Sequence, residues 1–144
     1  MEKSFFLIGI GAIGSVISDL FGGWTSAMTT LVIFMVIDYI TGILVAGVFR
    51  KSNKTDDGGL ESKAGWKGLI RKFTTLLIVL VAIRLDFLFD STLISSCVVF
   101  TFLANELLSL LENIGLMGIP LPSVLTEVIS VLNKKGENYV KRNK

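Results

Sequence analysis

"FMVIDYITGILVAG", residues 34–47, has the composition of a helix buried in hydrocarbon, yet Asp38 stands near its middle. A carboxylate at the centre of a bilayer costs roughly 3 kcal/mol or more unless it is paired, hydrated or protonated. The stretch lies in a longer apolar run, residues 25–49. Three other runs share its character, at 5–21, 69–89 and 93–111. About 20 predominantly apolar residues cross a bilayer, so each run reads as a span.

The totals agree. Of 144 residues, 51% are hydrophobic and 18% charged, where a globular domain carries about a quarter charged residues. The mean hydropathy is +0.70. The predicted fold is an all-α integral membrane protein with four transmembrane helices (1–114, cytoplasmic loop 50–68). Residues 115–144 then supply a Gly/Pro break, a short amphipathic interfacial helix and a basic cytoplasmic tail.

The net charge of +2 is too small to point to nucleic acid, and the chain has no histidine and one cysteine. That removes the commonest general base and the commonest metal ligand. No Cys/His cluster, phosphate-binding glycine loop or nucleophile elbow occurs. No enzyme activity, catalytic residue, metal or cofactor is expected. Cys97, in an apolar run, reads as a buried thiol acting as a small hydrophobe.

The first run is short and broken by Gly9, Gly11, Gly14 and Asp19. Lys3 before it fits a signal peptide, but no small-residue cleavage site follows. A helical hairpin with a tight Gly22–Gly23 turn is the better reading. Lysine and arginine placement then sets orientation. Arg50, Lys51, Lys54, Lys63 and Lys67 lie between spans two and three, with Arg71 and Lys72 just beyond. Lys134, Lys135, Lys141, Arg142 and Lys144 lie in the tail. The two short turns, 22–24 and 90–92, have none. Four spans with both termini inside place every basic cluster in the cytoplasm. Trp24 and Trp66 then fall near opposite faces as interface anchors.

At about 1.5 Å per helical residue, Asp38 and Glu106 lie at matching depth near the midplane. Arg84, Asp86 and Asp19 lie in the outer third. Depth disfavours Asp38–Arg84; Arg84 either pairs with Asp19 or snorkels to the interface, leaving Asp38 and Glu106 without a cation at their level. They are then protonated, or they face water. Asn105, Glu106, Ser109, Glu112 and Asn113 gather on one face of the fourth helix. That polar stripe is either a satisfied network between packed helices or, with Asp38, the lining of a water-filled lumen. Gly11, Ser15, Ser18 and Gly22 form a small-residue stripe, to which Gly42 adds a further packing site. Such residues allow close helix approach within one subunit or between two.

After the fourth span, Gly115, Gly118, Pro120 and Pro122 end the helix. Ser123 reads as an N-cap, followed by an apolar face of Val124, Leu125, Val128, Ile129, Val131 and Leu132. This helix lies on the inner leaflet or packs on a neighbouring subunit.

Three motifs now stand in order: "DYITG" (38–42), "SKAGWKGLIRK" (62–72) and "NELLSLLENIGLMGIPLP" (105–122). In order and spacing they resemble the toxin-secretion/phage-lysis holin family, over residues 38–122. The resemblance implies a protein without an active site. Such a protein would oligomerise with itself in the bacterial cytoplasmic membrane and form lesions that let an endolysin or toxin cross. Endolysin or toxin would be a functional partner needing no direct contact, and an antiholin a further partner. A narrow ion channel and an antiholin-type regulator are the competing functions.

Overall fold

The computed structural model describes residues 2–127 and 130–131. The described chain is all helical, with four long helices and no strands among those residues. Helix α1 is Glu2–Leu20 and α2 is Ser26–Leu44. A π-helical turn, Val45–Phe49, continues α2. Helix α3 is Ser62–Phe89 and α4 is Leu93–Leu116.

Local chemistry sets most of these boundaries. Thr25 has extended backbone, and its side chain accepts the Met28 N–H at 3.2 Å, which caps α2. The π-helical turn ends at Arg50, which is left-handed (φ 51°). Helix α3 ends the same way at Asp90 (φ 49°), whose N–H bonds the Asp86 carbonyl. Helix α4 closes at Gly118 (φ 82°). The Ile119 N–H reaches the Ile114 carbonyl at 3.3 Å and the Gly118 N–H reaches Gly115 at 3.0 Å, a Schellman closure. Gly115 therefore stays inside the helix; Gly118 ends it.

Helices α2, α3 and α4 pack together, with α4 against both of the others. Towards the two short turns, the interior is Met28, Leu31 and Met35 of α2, Val79 and Ile83 of α3, and Val99 of α4. Lipid is as apolar as these side chains, so dispersion and close packing hold this core rather than the hydrophobic effect. Threonines along the helices return their hydroxyls to carbonyls one turn back, as Thr41 does to Ile37 at 2.9 Å and Thr101 to Cys97 at 2.7 Å. These hydroxyls are thereby satisfied within their own helices.

Three helical segments are long and apolar enough to cross a membrane: Glu2–Leu20, Ser26–Phe49 and Leu93–Leu116. Helix α3 is the longest but carries Arg71, Lys72, Arg84 and Asp86, and it does not qualify by composition. The helix itself begins at Ser62, about two turns before the apolar run at 69.

The turn at Gly22–Gly23 forms, with both glycines at positive φ, but the expected hairpin does not close. Helix α1 has no buried residue and stands apart from the bundle. Its exposed side chains include Phe5, Phe6, Ile10, Ile13 and Val16. Cys97 also faces outward from α4 instead of lying in the interior. After Pro122 the chain is helical from Ser123, one residue earlier than a cap at that position implies. Val128, Ile129 and Leu132 of the expected apolar face, and the basic tail, lie outside the described residues.

Candidate functional site

Beyond the apolar layer the interior of the bundle becomes ionic. Asp38 from α2, Lys72 from α3, and Glu106 and Asn113 from α4 meet there. The Lys72 ammonium donates to Asp38 Oδ2 at 2.8 Å and to Glu106 Oε2. The other Asp38 oxygen, Oδ1, accepts from Asn113 Nδ2 at 2.9 Å. That same nitrogen lies 3.0 Å from Thr41 Oγ1 and 3.2 Å from the Asp38 carbonyl. Asp38, Glu106 and Asn113 are all buried, at 6–7% exposure. Among the described residues, no buried side-chain nitrogen or oxygen lacks a partner.

An ammonium shared by two carboxylates is the arrangement that lets charge persist in a low-dielectric interior. Each charge–charge contact offsets desolvation, and the Asn113 amide occupies the remaining Asp38 oxygen. Charge-assisted bonds of this kind tie all three helices at one level. Next to them is a cavity of about 100 Å³, lined by Asp38, Tyr39, Lys72, Ser109, Glu112 and Asn113 among others. It has polar walls and room for several water molecules.

Asp38 and Glu106 were expected to lack a cation at their depth. Lys72 supplies it. Counted from the short-turn ends of the helices, Lys72 is about 25 Å along α3 and Asp38 about 20 Å along α2. A lysine stem covers that difference. Grouping Lys72 with the loop's basic residues hid this, although a signal was present. Lys72, Val79, Ala82, Ile83 and Asp86 share one helical face, and the last four are the buried residues of α3.

The polar stripe of α4 divides. Glu106 and Asn113 enter the network, Ser109 and Glu112 line the cavity, and Asn105 is exposed on the helix exterior. The Asp19–Arg84 pairing takes a different form: Arg84 Nη2 lies 3.5 Å from the Asp19 backbone carbonyl instead of its carboxylate. Gly42 packs beside Asn113, whose Nδ2 would lie 3.8 Å from an added Cβ. Gly22, in its turn, is covered by the Phe87 ring. Gly11 and Ser15 are exposed and Ser18 is half-buried, so among the described residues only the Gly22 end of the small-residue stripe is covered. Trp24 donates to Thr29 Oγ1 at 2.9 Å and packs edge-on to Phe21. Trp66 is exposed.

Asp86 was placed in the outer third without a role. Its carboxylate accepts the Ile94 and Ser95 N–H groups at 3.0 and 2.7 Å, so α3 caps the start of α4 across the turn. Ser91 adds a bond to the Leu93 N–H at 3.0 Å.

No nucleophile–base pair occurs in this site; its chemistry is ionic pairing and hydrogen bonding. The bacteriophage holin family model matches residues 15–134, reaching into α1 and past Pro122. The chain belongs to the bacteriophage holin family. An uncharacterized protein of Listeria innocua is 37% identical over 139 residues, covering 95% of this chain and 94% of its own. One from Clostridium perfringens is 32% identical over 129 residues, 88% of this chain and 92% of its own. A protein of Bacillus phage phi105, described as a probable holin, is 27% identical over 122 residues and 84% of each chain. No solved structure matches. The family permeabilises membranes without enzymatic chemistry. This chain is accordingly a membrane protein of the lysis type and not an enzyme.

Proposed function

We propose that the chain accumulates in the bacterial cytoplasmic membrane as a four-span protein with both termini inside. It then oligomerises into lesions through which an endolysin, or a secreted toxin, crosses. The observation that carries this reading is the Lys72 bridge between Asp38 and Glu106, inside a bundle whose exposed side chains are mostly large and apolar. While subunits accumulate, the bridge keeps the polar groups satisfied and away from lipid. On assembly, α2, α3 and α4 exchange these internal contacts for water and for neighbouring subunits, and the same groups line the lesion.

The bridge also supports α3 as the fourth span. Of its charges, Lys72 and Asp86 are turned into the bundle and partnered. Arg84 lies near one end and Arg71 near the other. Between them the outward residues Phe73, Leu77 and Val81 are apolar.

The closed and assembled packings form a bistable pair, separated by a few kcal/mol per subunit at most. Two carboxylates and one ammonium leave a formal charge of −1 in the cluster. Moving one full charge across a potential of 100 mV changes its energy by about 2.3 kcal/mol, so depolarisation biases the exchange in proportion to how far the cluster's charge moves through the field. Asp38→Asn and Glu106→Gln keep shape while removing charge, and each should move the onset of lysis. Unaltered onset and lesion size in both would remove the bridge from the mechanism.

Graded release from liposomes holding the purified protein tests the function itself. Escape of dextrans of protein size is the expected result. Ion leakage without dextran escape would reassign the chain as a narrow channel. Retention of both, under an imposed and then collapsed potential, would make it a regulator of another holin.

A further inference from the structure

Adjacent basic residues on α3 meet different surroundings. Lys72 turns into the bundle, while Arg71 is exposed together with Lys67 and Lys63, one and two turns earlier. Spacing of i, i+4 and i+8 places these three in one row on the outer face of the helix. Alongside runs a second row, Trp66, Ile70 and Phe73, at 65%, 50% and 63% exposure. No other element of the described chain covers either row.

Length fixes the level of this surface. Helix α3 has 28 residues, about 42 Å at 1.5 Å per residue. The hydrocarbon core of a bilayer is about 30 Å thick. With Phe89 at one boundary, the other falls near Ile70. Lys63 and Lys67 then stand among the headgroups, Arg71 reaches them by snorkelling, and Trp66 sits where indoles anchor. We infer that this face of α3 is a binding surface for anionic phospholipid headgroups, with Lys63, Lys67 and Arg71 contacting the phosphate and Trp66 and Phe73 the upper acyl chain. A second copy of the same surface is disfavoured as occupant, since it would set three positive charges against three more. The inference rests on α3 crossing the membrane.

The chain has two tryptophans, so Trp24→Phe isolates Trp66 as a reporter. The Trp24→Phe protein is placed in vesicles of equal phosphatidylglycerol and phosphatidylcholine, with brominated tails on one lipid or the other. Brominated phosphatidylglycerol should quench Trp66 several-fold more efficiently, since each basic side chain contributes up to about fivefold near an anionic surface. Lys63→Gln/Lys67→Gln/Arg71→Gln should abolish the difference while leaving helicity by circular dichroism unchanged.

Equal quenching by both lipids would overturn the inference and leave α3 as a span. Quenching by neither would overturn α3's place in the membrane as well. Selectivity that survives the triple substitution would move lipid contact to other basic residues and remove it from this face. Loss of selectivity in inorganic phosphate, but not in chloride at equal ionic strength, would make this a free-anion site instead.

Discussion

Lys72 bears more on this molecule than any other single side chain. Removing it strands two buried carboxylates, and breaking a buried pair costs about 3–5 kcal/mol. Lys72→Met should lower the thermal stability of the detergent-solubilised protein by that order. Adding Asp38→Asn and Glu106→Gln to it should recover most of the loss. Failure of the triple variant to recover would mean that Lys72 matters for its stem and not its charge. Asp86 invites a comparable test of a smaller effect. Loss of an N-cap costs roughly 0.5–2 kcal/mol, so Asp86→Ala should destabilise within that range. Asp86→Asn, which keeps one accepting oxygen, should cost less. Hydrogen exchange at Ile94 and Ser95 would show whether the loss is local to the start of α4. Asp86 is visible in the sequence as a charge in an apolar run, whereas Lys72 reads as one of the loop's basic residues, and neither one's partner is visible. A partner belongs to another helix, and apolar periodicity fixes which face a residue occupies without fixing which neighbour meets it.

At the scale of elements, the helices themselves were legible and their packing only partly so. Long apolar runs separated by Gly22–Gly23, by a polar loop and by Asp90–Thr92 predict four helices, and four long helices form. The sequence did not show that α1 would stand apart, because its glycines and serines suit close packing as well as exposure. Nor did it show the π-helical turn at Val45–Phe49, which has no distinct composition. Gly42 and Gly22 carry separate expectations. Gly42→Leu should push the Asn113 amide off Asp38, and overpacking of this kind costs about 1–3 kcal/mol. Loss of thermal stability without loss of helicity would be the measured effect, and a neutral result would show that α4 can shift to accommodate the branch. Gly22→Val combines an unfavourable positive φ with a collision against Phe87. It should disrupt the α1–α2 turn, which protease sensitivity at residues 21–25 would report.

For the whole molecule, the first expectation concerns topology. In a Cys97→Ser background, cysteines introduced at Asp56 and at Ser91 should label differently with a membrane-impermeant maleimide applied outside intact cells before lysis. Position 91 should react and position 56 should not; the reverse pattern would invert the protein. The second concerns how α3 relates α2 to α4. Lys72 grips both neighbours at one level, and Asp86 holds the start of α4 roughly four turns away, about 21 Å along the helix. Both grips lie on one face. Helix α3 is therefore a gauge of fixed length. One residue inserted between them would turn one grip away from the other by about 100°, so that Lys72 or Asp86 loses its target. Insertions in the loop at residues 51–60 leave the gauge untouched. Length variation between functional versions of this chain should accumulate in that loop and be absent from residues 72–86.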